Sequence, residues 1–438
     1  MTSKSIGQMM LPADIGARAY ALIRDLYPIC RSITGNGLRQ TLQRIQREIP
    51  IEIQEVPTGT QVLDWTVPKE WNIRSAYIAT TRGERVIDFG NHSLHILNYS
   101  CPINKRVTRE ELKEHLFTLP KYPDWIPYRT SYYKENWGFC LSDNQAKLLT
   151  DAEYDVVIDS SLEDGALSYG ELLLPGESDE EVLISTHSCH PSLCNDNLSG
   201  VAVATYIAAL LGSAKRRYSY RFLFIPGTIG SITWLSRNED KVAQIRHGMV
   251  LACVGDSGAF HYKQSRQRDA EIDRVVEYYL QASGFPYKVR EFSPYGYDER
   301  QYCSPGFNLP VGCFSRTPHG AFPEYHTSAD NLDFVNPEAL ARSLKAILGI
   351  FGILEGNRTY LNTNPKGEPQ LGKRGLYRVM GGMPDAGKRE MAMLWVLNQS
   401  DGFNSLLDIA ARANLPFALI ADVAGALVEA GLLTEVRE

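Results

Sequence analysis

The stretch EVLISTHSCHPSLCNDNLSGVAVATY (residues 181–206) decides the fold of this chain. It opens with a nearly continuous apolar run, residues 181–187, which is typical of a strand buried on both faces of a parallel sheet. It ends with small and aliphatic residues from Ser199 onward, which predict a helix. The polar loop between them lies where parallel α/β sheets bind ligands, at the carboxyl end of a strand.

The same alternation of strand and helix continues towards residue 356. Further strands are predicted in YRFLFIPG (220–227), HGMVLACVG (247–255) and NLPVGCFS (308–315), and helices in AEIDRVVEYYLQASG (270–284) and NPEALARSLKAILGIFGIL (336–354). Such alternation favours an α/β fold, with a mostly parallel sheet flanked by helices.

Two regions depart from this rhythm. Residues 59–124 contain β-rich runs broken by Arg-Gly and Gly-Asn, which predicts a small inserted β-rich domain. The α/β domain would then be discontinuous, over residues 1–58 and 125–360. After a linker dense in Asn, Pro and Gly, residues 372–438 hold three helical segments, and their order predicts a winged helix-turn-helix domain.

Bulk composition narrows the class of protein. The 438 residues are 44% hydrophobic and 22% charged with a net charge of −6, as in an ordinary globular protein without a nucleic-acid or membrane partner. No apolar run reaches the roughly 18 to 20 residues that span a bilayer, and the start lacks the pattern of a signal peptide. Eight scattered cysteines do not form a secreted disulfide framework. We therefore expect a cytoplasmic protein.

The charges of the C-terminal domain bear on DNA binding. From residue 372 onward there are seven Lys and Arg against eight Asp and Glu, and the candidate recognition helix PFALIADVAGALVEAGLL holds two acids and no base. Because phosphate contacts need cations, this helix is unsuited to nucleic acid. Contact with protein, including a homodimer, is the favoured role of this domain.

Side chains in the opening loop are suited to metal binding. His187 and His190 follow the predicted strand, and Asp196 stands just before the helix. Neutral imidazoles and carboxylates are common zinc ligands. Two other interpretations use the same stretch: a polar turn in which Asp196 caps the helix, and a thiol site built on Cys189 or Cys194.

A second polar cluster, in the stretch FPEYHTSADN, precedes the last core helix. It contains Glu324, His326 and Asp330, and His319 lies just upstream. A hydrolytic zinc needs about three protein ligands and an open position for water. Asp196, one histidine of the first loop and His326 would supply that set.

Several stretches carry a resemblance to a known family. They are HSCHPSLCNDNLSGV, YRFLFIPGTIGS, DERQYCSPGFNLPVG and FPEYHTSADNL. Together they resemble the aminopeptidase-like proteins related to bacterial di-zinc aminopeptidases, in the branch that has an inserted small β domain and a C-terminal winged helix. The resemblance covers essentially the whole chain. It implies a zinc-dependent hydrolase that cleaves an amide bond of a small peptide or amino-acid conjugate, in a branch often associated with biosynthesis.

The resemblance also implies a set of metal ligands. Asp196 matches the bridging aspartate of the zinc aminopeptidases, and His326 matches the histidine from the second cluster. His187 matches the superfamily position directly after the strand. His190 lies in the His-Pro element that is more characteristic of this branch, and it is the favoured ligand.

The chain departs from the family at the catalytic base. The aminopeptidases carry a Glu-Glu pair after the strand that corresponds to YRFLFIP, whereas this chain has Gly227 and Thr228. The acid expected in the next strand is also absent, and Asp256 is the nearest. One zinc ion is therefore favoured over two, and Glu324 or, second, Asp298 is the predicted replacement base. The alternative is a weak or inactive relative that binds a peptide, amino-acid or sugar intermediate, and a winged-helix regulator is the least favoured function.

Overall fold

The computed structural model describes residues 6–376 and 386–436, and the chain forms two compact units. The larger unit comprises residues 10–273 and 285–345, and the smaller unit holds the remainder. The strands, in chain order, are β1 (Glu52–Pro57), β2 (Gln61–Val62), β3 (Trp65–Thr66), β4 (Glu70–Thr80), β5 (Arg85–Asp88), β6 (Ile103–Thr108), β7 (Leu116–Phe117), β8 (Phe139–Cys140), β9 (Glu153–Glu163), β10 (Ala166–Leu174), β11 (Glu181–His187), β12 (Ser219–Ile225), β13 (Ile245–Leu251), β14 (Phe260–Lys263), β15 (Tyr287–Arg290), β16 (Val311–Ser315), β17 (Thr359–Asn362), β18 (Asp401–Ser405) and β19 (Leu433–Glu435). The helices are α1 (Ile15–Leu26), α2 (Asn36–Gln46), α3 (Arg109–Lys113), α4 (Asp143–Lys147), α5 (Gly200–Leu211), α6 (Ile229–Arg237), α7 (Glu271–Ser283), α8 (Glu299–Tyr302), α9 (Pro337–Gly356), α10 (Ala386–Gln399), α11 (Leu406–Ala413) and α12 (Phe417–Glu429).

An eight-stranded sheet organises the larger unit, in the order β1-β10-β12-β11-β13-β16-β14-β15. The four central strands β12, β11, β13 and β16 are parallel, whereas β1, β10 and β14 pair antiparallel towards the edges. Every residue of β11 and β12 is buried, which explains why both read as continuous apolar runs rather than as alternating ones. The predicted α/β class with a large parallel core is confirmed.

Helix α5 packs closely under the end of β13. A Cβ atom added at Gly200 would lie 2.5 Å from the carbonyl oxygen of Leu251, so only glycine allows this approach. Nearly all of α5 is buried, in keeping with its small and aliphatic composition. This contact fixes the loop that enters the helix against the carboxyl ends of the central strands.

A second, antiparallel sheet has the order β5-β4-β9-β6. It contains the β-rich segment predicted as an insert, but β9 lies beyond the predicted end of that insert at residue 124. The short helix α3 is capped by Thr108, whose Oγ1 accepts a hydrogen bond from the backbone N–H of Glu111 at 3.2 Å.

The smaller unit contains the winged helix-turn-helix domain. Helices α10, α11 and α12 accompany a three-stranded sheet in the order β18-β17-β19. Strand β17 lies ahead of the predicted start of this domain at residue 372, in a segment whose composition is typical of a linker. The sequence did not predict it, because its four residues form a strand only through pairing with both β18 and β19. Residues 1–5, 377–385 and 437–438 of the predicted domains lie outside the described residues. Across residues 6–376 and 386–436, no helix combines the length and the apolar character needed to cross a bilayer.

Candidate metal centre

Three histidines converge on the carboxylate of Asp196. His187, the last residue of β11, places Nε2 2.9 Å from Oδ1 of Asp196. His190 places Nδ1 3.1 Å from Oδ2, and His326 places Nε2 2.9 Å from the same oxygen. Asp196 itself is completely buried. The two loops chosen from the sequence therefore meet at one carboxylate.

Hydrogen bonds from the surrounding core hold the loop in this shape. The buried carboxylate of Asp330 accepts from the backbone N–H groups of Asn195 at 2.6 Å and Asp196 at 2.9 Å. At the end of β13, the N–H of Cys253 donates to Oδ1 of Asn197 at 3.1 Å. Asp330 thus orients the Asp196 backbone rather than facing the histidines, a role that its position in the second cluster did not reveal.

Tyrosine rings enclose the cluster. Tyr325 stacks on His326 with ring centres 4.0 Å apart, and Tyr297 stacks on His187 at 5.4 Å. The ring of Tyr128 lies 5.1 Å from both His190 and His326. Sequence reasoning missed these residues. Only Tyr325 carried a signal, as the neighbour of a predicted ligand.

The electrostatics of the cluster favour a charged carboxylate beside imidazoles. Burial alone raises the pKa of Asp196, but the charge of His190, the hydrogen bonds from His187 and His190 and the close approach of His326 outweigh it and hold this pKa well below its ordinary value. Burial lowers the pKa of His190, yet the attraction of Asp196 raises it overall. For His326, burial dominates and lowers the pKa. An ionised aspartate and a neutral His326 are the protonation states that a metal ligand requires.

Gly227 leaves room for a side-chain carbon. A Cβ atom there would lie 3.7 Å from Cβ of His187 and 3.8 Å from Sγ of Cys189, which are ordinary contact distances. Next to this gap, the N–H of Thr228 donates to Oδ1 of Asp298 at 2.6 Å, and the hydroxyl of Ser231 donates to the same oxygen at 2.8 Å. The tertiary structure therefore brings the Asp298 carboxylate to the segment where the expected glutamate is missing.

The other predicted base is Glu324. Its side chain lines a cavity with Trp125, Ser328 and Asn331. Among the described residues, its carboxylate makes no hydrogen bond or ion pair with the three histidines. Its catalytic role stays a prediction, without support from a direct contact.

Asp256 has a structural role. Its oxygens accept hydrogen bonds from Asn195 Nδ2 at 2.9 Å, from the Thr317 hydroxyl at 2.6 Å and from the N–H of Gly258 at 2.6 Å. These donors occupy the carboxylate and join three loops. Asp256 is therefore a poor source of a second metal ligand.

The cysteines of the loop are unsuited to nucleophilic chemistry. Burial raises the pKa of Cys189 to about 12, and its sulfur accepts a hydrogen bond from the N–H of Gly227 at 3.3 Å. Burial raises the pKa of Cys194 as well. A protonated, buried thiol is a weak nucleophile, so the geometry favours the metal interpretation over the thiol one.

Fold and site together define the chain as an aminopeptidase-like α/β protein with an added winged helix. The chain belongs to the family described as a domain of unknown function, DUF4910, whose model matches residues 20–357. A winged helix-turn-helix model matches residues 358–435.

Relatives of known sequence or structure agree with this class. A Clostridium acetobutylicum protein, provisionally named a polysaccharide biosynthesis protein with an aminopeptidase-like domain, is 56% identical over 96% of this chain and 97% of its own length. A crystal structure of a provisionally named peptidase from the same species has a TM-score of 0.92 at 55% identity and covers 97% of each chain. A zinc aminopeptidase from Bacillus subtilis shares the fold, with a TM-score of 0.56 at 13% identity over 78% of this chain and 95% of its own.

Proposed function

We propose that this chain is a zinc-dependent hydrolase of the aminopeptidase type, which cleaves an amide bond of a small peptide or amino-acid derivative. One observation carries the proposal: His190 and His326 approach the same carboxylate oxygen of the buried Asp196. Two imidazole nitrogens and one carboxylate oxygen are a typical donor set for hydrolytic zinc, which leaves a fourth position for water.

The state of His326 supports this fit. Its Nε2 atom is buried and, within the part of the chain that the structure describes, has no hydrogen-bond partner, although it lies 2.9 Å from Asp196 Oδ2. A buried polar atom left unpaired costs free energy unless a further group satisfies it. Zinc bound at this nitrogen would satisfy it, and would supply polarisation of the substrate carbonyl and a lowered pKa of its bound water.

His187 is better suited to orient Asp196 than to ligate. The amide nitrogen of Asn197 lies 3.3 Å from Nδ1 of His187, and its orientation is fixed because its oxygen accepts from the N–H of Cys253. An amide donor at Nδ1 favours the tautomer with the proton on Nε2, and that proton is donated to Oδ1 of Asp196. We therefore assign the ligands as His190, Asp196 and His326.

The three assigned ligands suffice for one zinc ion. The Oδ1 atom of Asp196 is engaged by His187, and Thr228 stands at the position where the zinc aminopeptidases have their acidic ligand. The hydroxyl of Thr228 accepts a hydrogen bond from Arg300 at 3.2 Å. The carboxylate of Asp256 already accepts hydrogen bonds from backbone and side-chain donors. Neither Thr228 nor Asp256 therefore offers an acidic ligand to a second zinc ion.

Asp298 is the better supported general base. Its carboxylate accepts hydrogen bonds from Thr228 and Ser231 beside Gly227, whereas Glu324 lines a cavity with Trp125 and Asn331. A general base beside Gly227 would take a proton from the attacking water and pass it to the leaving amine. The name of the Clostridium relative supports a biosynthetic setting for the substrate.

The alternative is a relative that binds the same ligands without cleaving them, and Gly227 is its support. Metal content by plasma emission, followed by assay on aminoacyl-p-nitroanilides, tests both. A chain that takes up no zinc after zinc addition would rule out the hydrolase. If zinc binds, we expect native activity, and Gly227→Glu should change kcat/KM by less than about 10-fold.

If the native chain is inactive and Gly227→Glu raises kcat/KM by roughly 100-fold or more, the native chain is instead a binding protein that lacks its general base. Gly227→Gln is the matched control, because it fills the same space without a carboxylate.

A further inference from the structure

A buried arginine lies against the metal loop, residues 188–199 between β11 and α5. Arg31, between α1 and α2, is 1% exposed. Its Nε donates to the hydroxyl of Thr41 at 3.0 Å, its Nη2 donates to the carbonyl oxygen of Leu26, and its Nη1 donates to the carbonyl oxygen of His190 at 3.3 Å. One guanidinium thus joins two helices to the backbone of a proposed zinc ligand.

The described hydrogen-bond acceptors of this cation are all neutral. Within residues 6–376 and 386–436, no carboxylate lies within ion-pair distance of Arg31, and its three acceptors are two carbonyl oxygens and a hydroxyl. Burial lowers the pKa of Arg31 to about 10, so the group stays charged at neutral pH. Burying a charge without a counter-charge is costly, and a purely apolar contact between α1 and α2 would avoid that cost.

The contact at the metal loop is reinforced nearby. The hydroxyl of Ser192 donates to the carbonyl oxygen of Tyr27 at 3.1 Å, next to the bond from Arg31 to His190. Two hydrogen bonds therefore tie residues 190–192 to residues 27–31. On its other side, His190 reaches Asp196 through Nδ1.

We infer that Arg31 is a positioning residue for the metal centre, which fixes the backbone of His190 so that its imidazole meets Oδ2 of Asp196. This inference rests on the proposed function, because it assumes that His190 is a ligand. The planar guanidinium suits the task, since its donors diverge towards three separate acceptors, which the single ammonium of lysine cannot match in direction. A hydrogen bond from a charged donor is also stronger than one from a neutral donor.

Arg44 provides a matched control. It too links α1 to α2, through an ion pair with Asp25 at 2.9 Å, and it pairs with Glu48 at 2.9 Å. Its partners do not include a residue of the metal loop among the described contacts. If Arg31 served only to join the helices, Arg31→Met and Arg44→Met would affect zinc binding alike.

The test is zinc affinity measured by competition with a chromophoric chelator, on the full chain, for Arg31→Met and Arg44→Met. We expect Arg31→Met to weaken zinc binding about 10- to 100-fold, as loss of an outer partner of a metal ligand does, and Arg44→Met to change it less than threefold. In a His190→Ala background, Arg31→Met should have no further effect, because Arg31 acts through His190.

Unchanged zinc affinity in Arg31→Met, or an equal loss with and without His190, would overturn the inference. If Arg31→Met does not fold, Arg31→Lys replaces it, because lysine keeps the charge but lacks the planar guanidinium. Its zinc affinity is then measured in the same way, with and without His190. A wild-type chain that binds no zinc would overturn the proposed function, and the role of Arg31 with it. Zinc uptake by wild type together with unaffected Arg31 variants would overturn only the role of Arg31.

Discussion

His326 and Asp196 are joined by a contact that is short and yet not a hydrogen bond. The Nε2 atom of His326 lies 2.9 Å from Oδ2 of Asp196, but within the described residues this buried nitrogen has no partner in hydrogen-bonding geometry. His190 approaches the same oxygen at 3.1 Å. A cation held by His190, Asp196 and His326 would satisfy the unpaired nitrogen of His326.

Removal of His326 should abolish tight zinc binding. We expect His326→Ala to weaken zinc affinity by more than the roughly 100-fold that loss of an outer partner costs, because a ligand itself is lost. His319→Ala is the control, since the His319 ring packs against Tyr295 and Tyr297 rather than against Asp196. Competition titration with a chelator measures both. Equal effects of the two substitutions would contradict the assignment of His326.

His187 should behave as an orienting residue. His187→Ala removes the hydrogen bond to Asp196 Oδ1 and should weaken zinc binding about 10- to 100-fold, a smaller loss than that of His190→Ala. The same chelator titration compares the two variants. A larger loss for His187→Ala than for His190→Ala would exchange their roles and identify His187 as the ligand.

The two candidate bases can be separated by kinetics. Asp298→Asn should lower kcat by about 100-fold or more while zinc stays bound, because it removes the proton acceptor beside Gly227. Glu324→Gln should lower kcat less than threefold. Hydrolysis of aminoacyl-p-nitroanilides, with zinc content measured on the same samples, provides the comparison. The opposite ranking would transfer the role of base to Glu324.

Acid should destabilise the larger unit through His247. Its ring is buried with an edge against Tyr218, and burial lowers its pKa from 6.5 to about 3. A depressed histidine pKa means that the neutral form stabilises the fold, so this contribution is present above pH 6.5 and is lost as the pH falls towards 3. Between pH 6.5 and 5 the loss should be about 2 kcal/mol in the free energy of unfolding.

Urea denaturation of wild type and His247→Gln across this pH range tests the prediction. The glutamine variant should show a shallower dependence on pH, because it has no proton to gain in the unfolded chain. The substitution itself changes the free energy of unfolding by an amount that does not depend on pH. This change cancels when the free energy of each protein is compared with that of the same protein at pH 7.5. Parallel pH dependences for the two proteins would contradict the assignment to His247.

Local pattern was sufficient for most of the fold. Strands β11 and β12 read as apolar runs because both of their faces are buried, and α5 follows the loop as predicted. Strand β17 was missed, because Thr359–Asn362 has the composition of a linker and becomes a strand only through its two partners. Periodicity reports what an element buries, but not which distant element it meets.

The sequence by itself determined that two loops hold the polar groups of the site, with Asp196, two nearby histidines and His326 among them. Only the tertiary structure decided which oxygen of Asp196 each histidine meets, and that Asp298 lies beside the gap at Gly227. It also placed Arg31 behind His190, 159 residues further along the chain. The physical reason is that strand and helix patterns depend on neighbours a few residues apart. The direction of a side chain in the site depends instead on how separate elements pack, and no local pattern records that.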